Sequence, residues 1–246
     1  MKRPHARNAL SRKQTSDMTA ALESIRFDRS VRVLVLTSLV PGIFCAGADL
    51  KERLTLSIDD TTAFVPKLRF LANAIDNFQV PVIAAIDGAA LGGGLELALA
   101  CDIRVAASNS KLGLVETKLG IIPGAGGTQR LPRIVGPAVA KELIFTGRIM
   151  DGEESWNLGV VNHVVKQNKE GDAAFQKALE IAREIVPNGP VGVRMAKLAI
   201  SKGLEVDIGS GNTIEEACYA QVIPTKDRIE GLKAFSEKRS PSYSGE

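Results

Sequence analysis

The stretch from Val80 to Ala107 limits the fold more than any other part of the chain. Val80-Pro-Val-Ile-Ala-Ala-Ile86 is an apolar, β-branched run that reads as a buried strand, closed by Asp87-Gly88. Gly92-Gly93-Gly94 then opens an apolar helix running to Ala100, and Ile103–Ala107 reads as the next strand. Three glycines inside a helix cost roughly 2–3 kcal/mol relative to alanine. A chain tolerates that where a helix packs tightly on a strand, or where a ligand must approach bare backbone N–H groups at the positive end of the helix dipole. Glu96, one turn in, stands among Leu95, Leu97, Ala98 and Leu99. A carboxylate amid aliphatics is expensive to bury unless it is paired or used.

The other segments follow the same alternation. Ser16–Phe27 has helical periodicity, and Val31–Thr37 reads as a buried strand followed by a glycine-bearing loop, Pro41–Asp49. Asp59–Phe78 reads as a helix in which Pro66 marks a kink or the first turn. Lys111–Glu116 reads as a strand ending in an acid, and Gly127–Phe145 as a helix after a glycine-rich turn. Helical segments then dominate at Gly152–Leu158, Asp172–Val186, Val191–Lys202 and Thr213–Tyr219. This order predicts an α/β body with a helical C-terminal third.

Composition narrows the chemistry. At 246 residues the chain can bury one large core or two small ones. Aromatic residues make up 4%, too few for a base-stacking platform. A net charge of +3 suits either an anionic small ligand or a solvated basic surface. Cys45, Cys101 and Cys218 form no CxxC pair, which argues for a reducing compartment. His5 and His163 are the only histidines, so no metal site is expected and a histidine-dependent triad is disfavoured. No apolar run reaches membrane-spanning length.

Motif by motif, several mechanisms drop out. Gly124-Ala-Gly126-Gly127-Thr-Gln lacks the ending of a P-loop, and no GxSxG elbow exists. Cys45 has no histidine near it in sequence for nucleophilic work. Glu116 alone reads as an exposed strand end. Beside Glu96 it makes a candidate acid/base pair next to an anion-stabilising pocket, which points to chemistry on a carbonyl compound.

Together these pieces resemble the crotonase, or enoyl-CoA hydratase/isomerase, superfamily. The likeness runs from Arg3-Pro4 and Asn8-Ala9-Leu10 to Lys238-Arg239, and is most specific in Phe44–Lys51, Ala84–Asp102 and Glu116–Arg133. Val40–Arg53, Glu170–Phe175 and Glu215–Gln221 are most similar to the AU-binding branch of 3-methylglutaconyl-CoA hydratases. The resemblance implies the crotonase fold, a repeated β-β-α spiral over 1–189, with a helical oligomerisation region over 190–246. The family normally carries a strand or hairpin ahead of the turn at which this chain begins, so an unpaired sheet edge beside the coenzyme A groove is expected.

The resemblance also implies roles. Backbone N–H groups of Ala48 and Gly93 form an oxyanion hole, Glu96 and Glu116 hold the attacking water, and Gly124 positions it. Ala6, Asp49, Leu50 and Lys51 line the coenzyme A groove, while Phe235 and Lys238 approach the adenine end. Coenzyme A belongs to the acyl-CoA substrate, and no other cofactor is expected. The implied activity is hydration of a short enoyl-CoA, foremost 3-methylglutaconyl-CoA in leucine degradation. A generic hydratase or isomerase of fatty-acid oxidation is the alternative. For a second substrate carboxylate, Arg53 and Lys67 are the candidate cations. The implied assembly is a homotrimer or dimer of trimers, and the implied compartment is the mitochondrial matrix. Met1–Ser16 is basic enough to mimic a transit peptide but reads as domain sequence, any true leader lying upstream. RNA binding through Arg26, Arg29 and Arg32 is the secondary reading. Glu23 and Asp28 interleave those arginines, which favours a solvated helix end.

Overall fold

A computed structural model describes all residues, 1–246. Seven strands are present: β1 (Leu34–Leu36), β2 (Gly42–Cys45), β3 (Val82–Ile86), β4 (Gly88–Leu91), β5 (Ile103–Ala107), β6 (Lys111–Gly113) and β7 (His163–Val165). The helices of the first two-thirds are α1 (Arg12–Ile25), α2 (Leu50–Arg53), α3 (Ile58–Asp76), α4 (Gly93–Leu99), α5 (Gly127–Val135), α6 (Pro137–Thr146) and α7 (Gly152–Asn157). They are followed by α8 (Ala173–Ile185), α9 (Pro190–Gly203), α10 (Ile208–Val222) and α11 (Lys226–Glu237).

Successive strands alternate between two sheets, one ordered β1-β3-β5-β7 and the other β2-β4-β6. The β2–β4, β4–β6, β3–β5 and β5–β7 pairs are all parallel. This is the repeated β-β-α winding of the crotonase fold. Every residue of β3 is buried, as is each residue of α4 from Gly94 to Leu99. With Glu96 its one polar side chain and no face left for solvent, α4 lies in the core. Asp102 and Asp87 tie the frame together. Asp102 Oδ2 accepts the Val82 N–H at 2.7 Å, and the Asp87 carboxylate accepts the N–H groups of Ala174 (2.7 Å) and Phe175 (2.9 Å) at the start of α8.

The sequence-based expectations need correction at several elements. The strand expected over Val31–Thr37 is only Leu34–Leu36, and the loop Pro41–Asp49 contains β2. β4 and β7 were not anticipated. β4 is Gly-Ala-Ala-Leu, without a β-branched residue, and it exists because β2 and β6 pair with both its edges. The strand expected to end at Glu116 stops at Gly113, and Glu116 opens a 3₁₀ turn, Glu116–Leu119. The helix expected over Gly127–Phe145 is two helices, broken at Gly136 with φ 80° and restarted by Pro137. Pro66 lies inside α3, well past its first turn.

The residues group into two compact units. One comprises Met1–Ile25, Val35–Asn77 and Val82–Leu179, and the other Arg26–Leu34, Phe78–Pro81 and Glu180–Glu246. In the second, the buried Asp227 of α11 accepts N–H groups from Ser244 (2.8 Å) and Gly245 (3.0 Å), anchoring the C-terminal residues. No helix is long and apolar enough to cross a membrane.

Gly94 is where α4 meets β2. A β-carbon there would stand 2.2 Å from the Cys45 carbonyl oxygen. That neighbour is backbone in a paired strand and cannot swing aside. Gly94→Ala should therefore lower unfolding free energy by about 1–3 kcal/mol or more, measured by chemical denaturation. Unchanged stability would mean that α4 does not sit against β2.

Candidate active site

Gly92 adopts φ 51° and ψ −125°, a backbone state that side-chain-bearing residues rarely reach, and its N–H donates to the Gly113 carbonyl at 2.8 Å. That turn starts α4 at Gly93, whose N–H, as the first of the helix, has no acceptor within it. The Ala48 loop lies beside it. Leu10 donates to the Gly47 carbonyl (2.7 Å) and accepts from the Asp49 N–H (3.2 Å), bracketing Ala48 in a parallel bridge. In that pattern the N–H of the bracketed residue points away from Leu10. The Gly47 Cα comes within 4.0 Å of where a Gly93 side chain would begin, so both unclaimed N–H groups belong to touching segments.

Glu96 is 3% exposed, and its Oε1 accepts two backbone N–H bonds, from Ala125 and Gly127, each 2.8 Å. Burial raises its pKa, opposed by those two N–H groups and by the charges of Arg130 and Arg53. Glu116 is 8% exposed and differently supplied. Its carboxyl sits over the glycine turn, with Oε1 3.2 Å from where a Gly92 side chain would begin. Its Oε2 is buried without a hydrogen-bond partner. Burial first, and the Glu96 charge second, push its pKa up to about 7. The two acids thus flank the Gly92-Gly93 turn, one taking two backbone N–H bonds on a single oxygen and the other leaving an oxygen buried without a partner.

Arg130 braces this arrangement from behind and was not singled out from the sequence. Its Nη1 donates to the Ala125 carbonyl (3.1 Å), while its Nη2 reaches Asp76 (2.8 Å) and Asn73 (2.9 Å) on α3. The turn that holds Glu96 is therefore tied to a helix more than fifty residues earlier in the chain. A sequence pattern cannot reveal such a tie.

Gly124 is half-buried. Its carbonyl accepts from Arg69 Nε at 3.2 Å, and Val65 Cγ1 is 3.1 Å from its missing side-chain position. Ala6 ends the turn Pro4–Ala6, half-buried, while Leu50 and Lys51 are exposed at the start of α2. The Asp49 carboxylate caps α2 through the Glu52 N–H (3.2 Å) and pairs with Arg3 (2.8 Å). Burial raises its pKa, but those partners outweigh it and hold the carboxyl below its usual value. Met1–Ser16 is packed structure: Asn8 is fully buried and donates to the Phe44 carbonyl at 3.0 Å.

Phe235 (85% exposed) and Lys238, the left-handed C-cap of α11, belong to the second unit. Arg26 and Arg29 are exposed there and Arg32 is half-buried. Lys67 points to solvent, whereas Arg53 is half-buried over the Phe64 ring. Cys45 is fully buried, its thiol pushed up to about 12 by burial, and it is no nucleophile. No three His, Cys, Asp or Glu side chains gather as metal ligands.

The chain is similar to known proteins over its whole length. The family profile described as enoyl-CoA hydratase/isomerase matches residues 1–246. A human protein named mitochondrial methylglutaconyl-CoA hydratase is 60% identical over 244 residues, covering 99% of this chain and 72% of that protein. A mouse protein named mitochondrial enoyl-CoA hydratase domain-containing protein 2 is 58% identical, covering 100% of this chain and 83% of its own length. The crystal structure of an enoyl-CoA hydratase from Bacillus anthracis superposes with a TM-score of 0.95 at 48% identity, covering 99% of this chain and 93% of that one.

The elevated pKa of Glu116 has a consequence for stability. The unfolded carboxyl releases its proton near 4.5, the folded one near 7. Between those values the folded protein keeps a proton that the unfolded chain has lost, so stability falls as pH rises through the window. The loss amounts to about 3 kcal/mol once pH exceeds about 7. Glu116→Gln removes this titration and should stabilise the protein by up to about 3 kcal/mol at pH 8, the gain shrinking toward pH 4.5. A stability change that ignores pH would show that the carboxyl is not under this strain.

Proposed function

The chain belongs to the enoyl-CoA hydratase/isomerase family and is a hydro-lyase of the enoyl-CoA hydratase type; from that premise we propose that Glu96 and Glu116 share the attacking water and that its substrate is 3-methylglutaconyl-CoA. The observation that carries the mechanism is the unequal supply of donors to two neighbouring acids. Two N–H bonds to Glu96 Oε1 favour its ionised form, while the unpartnered Glu116 Oε2 favours the protonated form.

Hydration then divides between them. The water oxygen bonds to Cβ and passes one proton to the Glu96 carboxylate, while the π electrons move toward Cα and the thioester oxygen. The N–H groups of Ala48 and Gly93 stabilise the enolate, each such donor being worth about 2.7–4 kcal/mol. Glu116 gives its proton to Cα, completing addition of H and OH across the double bond. Proton transfer from Glu96 to Glu116 through the next bound water restores the pair. Coenzyme A is part of the substrate, and the scheme uses no further cofactor.

The substrate rests on the name carried by the human relative at 60% identity, and a mitochondrial setting on the names of that protein and of the mouse one. Self-association through the C-terminal helices is supported by Leu198, Ile200, Leu204, Ile208, Tyr219 and Ile223, all exposed apolar residues.

A spectrophotometric hydration assay should give a higher kcat/KM for 3-methylglutaconyl-CoA than for crotonyl-CoA. The reverse order would leave a generic hydratase. Glu96→Gln and Glu116→Gln should each lower kcat by about 10²–10⁴-fold with acyl-CoA affinity largely kept. Near-normal turnover in either variant would defeat the scheme. With Glu116 the acid, activity should decline above about pH 7 as its carboxyl loses the proton to be donated.

A further inference from the structure

Arg53 has no acid of its own, although three other arginines of the same unit do. Arg3 pairs with Asp49 (2.8 Å), Arg12 with Glu52 (3.3 Å) and Arg130 with Asp76 (2.8 Å). Arg53 closes α2, directly after the loop that carries Ala48, and its Nε is buried with no hydrogen-bond partner. Its guanidinium lies over the ring of Phe64, 5.7 Å from the centroid, and Phe64 is only 2% exposed. A rigid ring under a planar cation fixes the orientation of its donors. Val65, next on α3, abuts Gly124, so this part of α3 borders the turn that binds Glu96. The Arg53 charge reaches both Glu96 and Glu116. A half-sunk cation with an unsatisfied donor is costly unless an anion arrives to meet it.

We propose that Arg53 is a specificity-determining residue that receives the terminal carboxylate of a dicarboxylic enoyl-CoA. The inference rests on the reading of the site given above, since it needs the acyl chain to lie between Glu96 and Glu116. A guanidinium accepts a carboxylate through two parallel N–H bonds, stronger and more directional than contacts to a neutral acyl end. A monocarboxylic enoyl-CoA leaves those donors unmet. Lys67, the other cation near α3 considered for this role, faces solvent and has no comparable orientation.

Saturated thioesters that cannot react separate this role from catalysis. Dissociation constants of glutaryl-CoA and butyryl-CoA, which differ in the terminal carboxylate, are measured for the full chain and for Arg53→Gln and Arg53→Lys. The wild type should favour glutaryl-CoA, and Arg53→Gln should shrink that preference by about 10–100-fold, the range of a charge-assisted pair. Arg53→Lys, which keeps the charge without the fork, should fall between and shows the effect in a second variant. Equal weakening of both ligands overturns the proposal, because it would mark Arg53 as a contact to the coenzyme or a brace for the glutamates. A wild type that hydrates crotonyl-CoA but binds glutaryl-CoA no better than butyryl-CoA overturns it too, while leaving the Glu96–Glu116 mechanism standing. Failure of hydration in the wild type with both enoyl thioesters would instead strike the underlying reading.

Discussion

Two backbone N–H groups on one carboxylate oxygen hold the site together. Ala125 and Gly127 each donate to Glu96 Oε1 at 2.8 Å, and this is what allows an acid to stand inside a helix otherwise built from Leu95, Leu97, Ala98 and Leu99. Without those donors Glu96 would be a buried charge among aliphatics, a state that costs several kcal/mol in real proteins. With them, α4 is fixed to the Gly124–Gly127 turn. Arg130 secures that turn in its place by joining the Ala125 carbonyl to Asp76 and Asn73. The position of one acid is therefore set by three separate stretches of chain.

Glu116 shows the same residue type under opposite conditions. Its Oε2 is buried with no partner, and the nearby Glu96 charge adds to the cost of ionising it. The fold gives up stability near neutral pH to keep this group poised between its two forms, a common trade at functional sites. Arg53 fits the same pattern. An unpaired, half-buried guanidinium is unfavourable for the empty protein and becomes favourable only when an anion is added.

Much of the frame was readable from short-range pattern. Ile103–Ala107 is a strand with the bounds expected of it, and α4 falls within one residue of its predicted range, because a continuous apolar run after a glycine turn has few alternatives. The two readings of the glycine triplet proved compatible. Gly94 packs against Cys45 of β2, while Gly93 leaves its N–H without a helical acceptor. What escaped were elements created by their partners. β4 has no β-forming residue beyond its pairing, β7 is three residues long, and Glu116 looked like an exposed strand end because nothing local indicates its burial.

By itself the sequence determined that Glu96 lies in an apolar helix behind a glycine turn and that Glu116 is a second acid within twenty residues of it. These follow from residue identity and spacing, which act over one or two turns of chain. Only the tertiary structure decided that Glu96 receives two N–H bonds while one Glu116 oxygen is left without a partner, that Arg130 braces the turn, and that Arg53 stands unpaired while Lys67 faces water. Each depends on the company a side chain keeps, and hydrogen bonding and desolvation are set by neighbours in space that can lie more than fifty positions away.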